Sequence, residues 1–360
     1  MSQLTEIIKA EIALQGAIPF ARFMELALYC PDYGFYEKES DTVGRRGDFY
    51  TSVSVGSLFG ELLAFQFAEW LEELDGNKIQ IVEAGAHDGK LAADILRWLR
   101  RRRPHLGEHL EYVIAEPSAR RRDWQRKSLA EFGEQVRWVE TGLGEQESRF
   151  AGIVFSNELL DAMPVHRMGW DAKQRAWFEW GVAWEGGGFN WTRMKAVSES
   201  RQLSELPGEL LAILPDGFTT EISPTAEQWW CDAAQALSKG RLLTLDYGLR
   251  SEEFFSPQRT NGTLRAYRSH KLCDDVLANP GEQDLTAHVN FSRIQAAGEQ
   301  AGMRPEKLVT QSEFMVGIAK KFWAEAEQQG EWTAQRNREF QTLIHPEHLG
   351  RAFRVLVQSR

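Results

Sequence analysis

The stretch Gln80-Ile-Val-Glu83-Ala-Gly85-Ala-His87-Asp-Gly89-Lys-Leu91 indicates how this chain folds. Its apolar start predicts a buried β-strand that ends at an acidic residue, followed by a glycine-containing turn and a helix from Lys90. A strand, a tight turn and a helix in this order hold a nucleotide-like ligand at the carboxyl edge of a parallel sheet. His87 stands where a third glycine is expected. An ordinary turn, with glycine needed only for its geometry, stays open as the alternative.

Acidic residues near this turn bear on the kind of ligand. Glu83 precedes the turn, and Glu116 ends the next predicted strand, Tyr112-Val-Ile-Ala-Glu-Pro-Ser118. A dinucleotide site uses its glycines on a pyrophosphate, which S-adenosylmethionine lacks. The ribose of S-adenosylmethionine favours a carboxylate, and its ammonium and sulfonium groups favour an acidic or aromatic wall. The pattern favours S-adenosylmethionine over NAD, and a plain solvated strand end is the alternative at Glu116. The candidate cofactor-binding residues here are Glu83, Gly85, Ala86, Gly89, Glu116 and Ser118.

Strands and helices alternate along much of the chain. We expect strands, with helices between most of them, at 79–83, 111–116, 136–139, 152–156 and 241–246. This alternation is typical of a parallel sheet covered on both faces. Helical periodicity at 4–30, broken by Gly16 and Pro19, and an apolar helix from Ser57 to about Leu74 come before it. We therefore predict an N-terminal helical and lid segment at 1–56 and a core domain at 57–360.

Two insertions into the core domain are predicted. Residues 165–195 are rich in Trp and Phe around Gly186-Gly187-Gly188, which predicts a twisted hairpin. Residues 250–290 are expected to be mostly irregular. A long loop inside a compact α/β domain is more often functional than decorative.

Composition limits the class of protein. The chain has 360 residues, of which 42% are hydrophobic and 26% charged, as in ordinary globular proteins. Its formal net charge of −10 argues against general nucleic-acid binding. No apolar stretch approaches the ~20 residues that span a bilayer, and residues 1–9 lack a signal-peptide core. Three distant cysteines without a CxxC pair predict no metal site and a reducing, cytoplasmic location.

Polar residues also follow later strands. Ser156-Asn157-Glu158-Leu-Leu-Asp161 closes an apolar strand, so its acidic groups are expected to orient a cationic nucleophile beside a sulfonium. Helix capping by Asn157, with Glu158 in the first helical turn, is the ordinary alternative. Asp246-Tyr247-Gly248 ends another strand. Asn157 joins the cofactor-binding candidates, and the catalytic candidates are Glu158, Asp161, Asp246, Tyr247 and His288.

One polar loop before the core is a candidate lid. The segment Gly47-Asp48-Phe49-Tyr50-Thr51-Ser52 is expected to fold over the ligand, although an ordinary loop has the same composition. Its candidate cofactor-binding residues are Gly47, Asp48, Phe49, Thr51 and Ser52.

Several of these motifs occur together in one known family. The chain resembles the MidA-type S-adenosylmethionine-dependent methyltransferases over roughly residues 17 to 320. That family includes a mitochondrial protein-arginine methyltransferase required for assembly of respiratory complex I. The motifs that carry the resemblance are Ile18-Pro-Phe20, Pro31-Asp-Tyr-Gly-Phe-Tyr36, Gly47–Ser52, Phe59-Gly-Glu61, Asn157-Glu158, Pro164-Val165, Asp246-Tyr247-Gly248, Gly262-Thr-Leu-Arg-Ala-Tyr267 and Asp284-Leu-Thr-Ala-His-Val-Asn-Phe291.

The resemblance implies a fold, a cofactor and an activity. The implied fold is α/β, a class I methyltransferase with a Rossmann-like, mostly parallel seven-stranded sheet, an N-terminal helical cap and inserted segments. The implied activity is S-adenosylmethionine-dependent methyl transfer to a protein, with arginine as the candidate acceptor, in assembly of a respiratory or other complex. A homodimer stays open.

Two other functions stay open at this point. His87 and Asp88 stand where the family has small residues, which favours a binding or assembly factor with weak catalysis. A small-molecule methyltransferase is the other alternative. The two insertions weigh against it because they provide a surface for a macromolecule.

Overall fold

The computed structural model describes residues 2–38, 51–74, 78–140, 143, 149–194, 201–269, 271–328, 332–346 and 349–360. The predicted site residues Gly47, Asp48 and Phe49 lie outside the described residues. No helix within these ranges combines the length and apolar character that crossing a bilayer requires.

The elements follow in chain order. The strands are β1 (Ile18–Pro19), β2 (Ile79–Ala84), β3 (Leu110–Ala115), β4 (Val136–Val139), β5 (Phe150–Asn157), β6 (His166–Asp171), β7 (Ala176–Glu185), β8 (Gly188–Arg193), β9 (Thr219–Ile222), β10 (Leu237–Leu249), β11 (Arg265–Arg268), β12 (Lys271–Cys273), β13 (Asp284–Thr286), β14 (Val289–Asn290), β15 (Arg304–Thr310) and β16 (Phe353–Ser359). The α-helices are α1 (Gln3–Gln15), α2 (Phe20–Tyr29), α3 (Ser52–Val55), α4 (Leu58–Glu72), α5 (Lys90–Arg102), α6 (Pro104–Gly107), α7 (Ala119–Ser128), α8 (Arg201–Ser204), α9 (Gly208–Ile213), α10 (Pro224–Ala236), α11 (Ser251–Phe254), α12 (Phe291–Gln300), α13 (Gln311–Gln328) and α14 (Ala334–Ile344). Short 3-10 helices lie at Phe35–Glu37 and Ala130–Gln135.

A seven-stranded sheet forms the centre of the molecule. Its order is β15-β16-β10-β5-β2-β3-β4, and the short β14 pairs with the end of β10. The five strands from β10 to β4 are parallel, whereas β16 runs antiparallel between β10 and β15. All five predicted strands are present. This topology confirms the expected class I fold and its mostly parallel seven-stranded sheet.

The sheet is held together by apolar strands and helices on both faces. Every residue of β2 is buried, as expected for a central parallel strand. The helix α4 is apolar on nearly all sides because it packs against α5, α13 and α14 as well as the sheet. Its Phe67 lies 5.0 Å from Phe155 of β5, measured between ring centroids. Burying one such side chain stabilises the fold by about 1.5–3 kcal/mol.

The segment 165–195 forms more than the predicted hairpin. Its strands β6, β7 and β8 make an antiparallel meander, and β1 and β9 extend it to a five-stranded sheet. The helices α1 and α2 pack on this sheet, where Phe20 contacts Trp191 and Phe23 contacts Phe189 at ring-centroid distances of 5.0 and 5.4 Å. The Trp and Phe residues therefore build a second apolar core.

The segment 250–290 is mostly irregular, as expected, but it also contains short regular elements that the sequence did not predict. This segment contains α11, the three-stranded sheet β12-β11-β13 and the strand β14. The strands have only two to four residues each, too short to show a clear period of two in the sequence. Tertiary pairing, which brings Tyr267 opposite Asp284, makes them strands.

Candidate active site

A cavity of about 540 Å³ opens at the carboxyl ends of β2 and β5. Ligand pockets commonly have volumes of about 300–1,000 Å³. Its wall includes the turn after β2 and the loop after β5, and it also includes parts of α2, the first 3-10 helix and the strands β11 and β13. The cavity therefore lies where the carboxyl ends of parallel strands meet segments that are distant in sequence.

The turn after β2 has the geometry that glycine favours. Gly85, His87 and Gly89 have φ values of 76°, 46° and 82°, all in the left-handed region. Gly85, Ala86 and His87 line the cavity. Gly89 faces the other way, since a Cβ there would lie 2.9 Å from Oγ of Ser128. His87 stands where a third glycine was expected, and its backbone adopts the same left-handed conformation as the two glycines.

Glu83 is a buried acid on the cavity wall. Only 2% of its surface is exposed, and the hydroxyl of Tyr112 donates a hydrogen bond of 2.6 Å to its Oε2. Burial raises the pKa of Glu83 to about 8, and the bond from Tyr112 opposes this rise. This carboxyl group can pair with an ammonium group of a ligand.

Glu116 and Ser118 lie behind the wall. The Glu116 carboxylate accepts from the Ser118 backbone amide at 2.9 Å and from Nε2 of Gln125 at 3.2 Å. The Ser118 hydroxyl caps α7 and donates to Glu37. Arg121, which was not among the predicted residues, lines the cavity, with its Nη1 3.9 Å from Oε2 of Glu116. Burial raises the pKa of Glu116, while Arg121 lowers it.

The start of α3 supplies another part of the wall. Thr51 lines the cavity and caps α3, whereas the hydroxyl of Ser52 points away and donates to Oε1 of Gln311 at 3.2 Å. Lys90 fixes α3 against α5, because its Nζ donates to the carbonyl of Val53 at 2.7 Å. Lys90 also lines the cavity and was predicted only as a helix start.

The loop after β5 brings three predicted residues together. Asn157, Glu158 and Asp161 all line the cavity, and Nδ2 of Asn157 donates to Oε1 of Glu158 at 3.0 Å. The capping alternative fails because no helix begins in this loop, which the structure describes completely. Burial raises the pKa of Glu158 to about 8 and also raises that of Asp161, with Asp246 and Asp284 adding repulsion at Asp161.

Asp246 lies beneath this loop and not on the cavity wall. Its Oδ2 accepts from the backbone amides of Leu159 and Leu160 at 3.1 and 2.8 Å, and its Oδ1 accepts from the amide of Tyr247 at 2.8 Å. Burial raises the pKa of Asp246 in spite of these donors. Asp246 therefore shapes the loop that carries Glu158 and does not itself line the cavity.

Tyr247 and His288 form an aromatic pair on the wall. Their ring centroids are 6.4 Å apart, and Tyr247 also packs on Phe353 at 4.0 Å. Burial, Arg259 and Arg265 lower the pKa of His288 to about 4, so the imidazole is neutral at pH 7. Its buried Nδ1 has no hydrogen-bond partner among the described residues.

Other wall residues that were not among the predicted site residues include Tyr29, Tyr36 and Asp284. The hydroxyl of Tyr36 donates to Oδ1 of Asp284 at 2.8 Å, and that of Tyr29 donates to the carbonyl of Ala162 at 2.9 Å. Tyr36 and Asp284 belong to the motifs 31–36 and 284–291. Those motifs were the signal that could have identified them.

The described residues fit S-adenosylmethionine. The carboxyl groups of Glu83, Glu158, Asp161 and Asp284 and the rings of several tyrosines face one cavity, which suits a cationic ligand. Oδ1 of Asn157 is buried, has no hydrogen-bond partner within the described ranges, and can accept a hydrogen bond from a ligand. The left-handed turn at Gly85 brings backbone close to the same space.

Comparisons with known proteins identify the family of this chain. Residues 62–309 match the model of a family described as S-adenosyl-L-methionine-dependent methyltransferases. The mitochondrial protein arginine methyltransferase NDUFAF7 homolog of Drosophila melanogaster is 29% identical, over 83% of this chain and 70% of that protein. The Homo sapiens protein arginine methyltransferase NDUFAF7, also mitochondrial, is 26% identical over 95% and 80%.

A solved structure is similar over almost the whole chain. It is the crystal structure of a protein from Burkholderia thailandensis bound to S-adenosyl-homocysteine. The two structures have a TM-score of 0.85, and the two sequences are 33% identical. The similarity covers 99% of this chain and 92% of that one. S-adenosylmethionine is therefore the cofactor, as predicted.

The predicted cytoplasmic location is contradicted by these comparisons. The similar curated proteins are named as mitochondrial. The number and spacing of cysteines bear on redox conditions and do not identify one compartment. The fold, the cofactor and the match of residues 62–309 to the family model all indicate the same family. The chain belongs to the family of S-adenosyl-L-methionine-dependent methyltransferases.

Proposed function

We propose that this enzyme methylates a guanidinium nitrogen of arginine in a protein substrate, in the assembly of a respiratory or other complex. The carrying observation is the group of carboxyls formed by Glu158, Asp161 and Asp284 on one cavity wall. Three acids at one site suit a cationic acceptor, because a guanidinium group offsets their mutual repulsion. Similar proteins named as protein arginine methyltransferases support the same acceptor.

The cofactor would lie against the turn after β2. We assign Glu83 to its ammonium group, the backbone at Gly85 and Ala86 to its methionine portion, and Oδ1 of Asn157 to a donor on the ligand. Glu116 remains the proposed ribose acid, acting from behind the wall beside Arg121. S-adenosylmethionine supplies an electrophilic methyl group whose bonding electron pair returns to sulfur on transfer.

The acceptor needs help from carboxylates. A guanidinium group is cationic and delocalised at neutral pH, which makes its nitrogens poor nucleophiles. Paired hydrogen bonds donated by the guanidinium to the carboxylates of Glu158 and Asp161 would localise the positive charge away from the reacting nitrogen. As the nitrogen–carbon bond forms, that nitrogen loses one proton, and Glu158 receives it. A pKa of about 8 suits Glu158 to this step, since proton transfer is efficient when the pKa lies near the working pH.

Other wall residues would position the acceptor. Asp246 holds the loop of Glu158 and Asp161 through the amides of Leu159 and Leu160. His288 is neutral and offers hydrogen bonds without adding positive charge beside the guanidinium. The ring of Tyr247 provides an apolar face that excludes water from the reacting atoms.

The direct test is transfer of a labelled methyl group. The purified full chain is incubated with labelled S-adenosylmethionine and cell extract, and the products are separated by size and examined by mass spectrometry. We expect the label on arginine side chains of protein, and less of it with Glu158→Gln. Label found only in small molecules, or on lysine and histidine but not arginine, would overturn the proposal.

A further inference from the structure

Arg265, which lines the cavity, and Arg259 have no acidic partner among the described residues. Nη1 of Arg265 donates to the carbonyl of Leu264 at 2.8 Å, and Nε of Arg259 donates to the carbonyl of Glu253 at 3.3 Å. Neither guanidinium forms an ion pair with a carboxylate within the described part of the chain.

Both arginines lie close to the proposed acceptor site. Arg265 lines the cavity together with His288. The carbonyl of Arg259 accepts from the amide of Gly262, beside Thr263, whose Oγ1 accepts from the amide of His288, and the positive charges of both arginines lower the pKa of His288. Arg167 adds a third cation nearby, since its Nη2 donates to the carbonyl of Asn261 at 3.3 Å. Arg167 is balanced by Glu221, 3.5 Å away, so the net positive charge comes from Arg259 and Arg265.

The strands β11 and β13 arrange charge in two layers along the wall. Tyr267 pairs with the buried Asp284 in the inner layer, and the exposed Arg265 pairs with Thr286 in the outer layer. Two residues along a strand span about 7 Å. That distance is comparable with the length of an extended arginine side chain. If the guanidinium of an acceptor arginine lies beside Asp284, the backbone of that arginine therefore lies level with Arg265.

We propose that Arg259 and Arg265 bind acidic residues next to the acceptor arginine, so that the enzyme selects arginines flanked by Asp or Glu. The inference rests on the proposed arginine methylation and adds the sequence context of the substrate. The cavity is then acidic inside, where the guanidinium binds, and basic at its mouth, where the flanking carboxylates bind. Complementary charge of this kind sets partner choice more than total affinity.

The test is a competition between peptides. Peptides of one length with a single central arginine, flanked by Asp, Asn or Lys, are mixed with the full chain and S-adenosylmethionine. Mass spectrometry of the methylated products gives the ratio of their kcat/KM values directly. We expect the Asp-flanked peptide to exceed the Asn-flanked one by about fivefold to tenfold at low salt, from two partly exposed ion pairs. The preference should shrink as the salt concentration rises.

Variants separate the two arginines from general surface charge. The double variant Arg259→Gln and Arg265→Gln should bring the ratio close to one. Arg268→Gln is the matched control, because Arg268 lies on the same strand but is already paired with Glu282 at 2.8 Å. This control should keep the preference of the unmodified chain.

Three outcomes would count against the inference. Equal kcat/KM for all flanks, with methylation observed, overturns the role of the two arginines and leaves arginine methylation intact. Equal loss of preference in the Arg268→Gln control indicates an effect of general surface charge and also overturns it. If no arginine peptide or protein accepts methyl, both proposals fail.

Discussion

Tyr112 donates its hydroxyl hydrogen to Oε2 of Glu83 at 2.6 Å, between the adjacent parallel strands β3 and β2. Both side chains are buried, so the bond is shielded from water. It favours the ionised form of a carboxyl group whose pKa burial has raised to about 8. The pair therefore sets how much of Glu83 is charged near neutral pH, where an ammonium group would bind it.

Tyr112→Phe should weaken cofactor binding. Without the hydroxyl the pKa of Glu83 rises further, and a larger share of the carboxyl is neutral at pH 7. We expect affinity for S-adenosyl-homocysteine to fall about tenfold, since a hydrogen bond to a charged group contributes about 1.5–3 kcal/mol. Calorimetric titration at pH 7 and pH 8.5 checks this, with the variant closer to the unmodified chain at the higher pH. Tyr33→Phe at the surface is the control, and equal loss at both pH values would contradict this account.

The stability of the ligand-free protein should fall as pH rises from about 5 to 8. Glu83 and Glu158 have pKa values of about 8 in the folded chain, whereas carboxyl groups in an unfolded chain titrate between about 4 and 5. The folded state therefore binds more protons in this interval. The contribution of these two groups to the free energy of unfolding is fully present below their pKa in the unfolded chain, and it is lost as the pH rises through their pKa in the folded chain. Urea denaturation of the double variant Glu83→Gln and Glu158→Gln should show a shallower decline, and an unchanged decline would count against these two groups. The exposed Glu209→Gln should leave the decline unchanged.

Glu158→Gln should reduce turnover more than cofactor binding. A positioned general base contributes about 100-fold to 10,000-fold, and glutamine keeps the shape but cannot take the proton. We expect kcat to fall at least about 100-fold, with affinity for S-adenosyl-homocysteine changed by less than about threefold. Single-turnover methyl transfer and calorimetry measure the two quantities. Full turnover with normal cofactor affinity would remove Glu158 from the mechanism.

Asp246→Asn should loosen the loop that carries Glu158. Asparagine presents an NH₂ group where one carboxylate oxygen now accepts backbone amides, so at least one buried donor loses its partner. We expect the free energy of unfolding to fall by about 1–3 kcal/mol and methyl transfer to fall with it. Denaturation and activity are measured together. Asp123→Asn, whose exposed carboxylate pairs only with Arg126 in the described contacts, should cost less than about 1 kcal/mol. Equal costs for the two variants would contradict the positioning role of Asp246.

His87 separates backbone strain from side-chain effects. At a φ of 46° a residue with a Cβ is strained by roughly 1 kcal/mol relative to glycine. His87→Gly should therefore keep the stability of the fold within about 1 kcal/mol and bind S-adenosyl-homocysteine at least as tightly, because the cavity widens. His87→Ala keeps the strain and removes the imidazole. Calorimetry and urea denaturation of both variants provide the comparison. A large loss of affinity in both would show that the imidazole contributes to binding.

Much of the fold follows from local patterns. The strand of Glu83 and the apolar helix α4 were predictable because long apolar stretches bounded by turn residues have few alternatives. The short strands β11 and β13 were not predictable, because they exist only through pairing within the small sheet β12-β11-β13. The capping interpretation of Asn157 was wrong for a similar reason, because a long-range contact decides the structure there. The backbone amides of Leu159 and Leu160 donate to Asp246, and the chain after β5 forms a loop instead of a helix.

By itself, the sequence determined the five parallel strands of the central sheet, the acidic residue at the end of β2 and the polar loop after β5. Each depends on neighbours within a few residues and on the rule that parallel strands share their carboxyl edge. Only the tertiary structure decided which residues face the cavity. It placed Tyr36 against Asp284, 248 positions apart, and put Asp246 beneath the loop while Glu158 faces the cavity. Such choices depend on long-range packing and burial, which local periodicity does not encode.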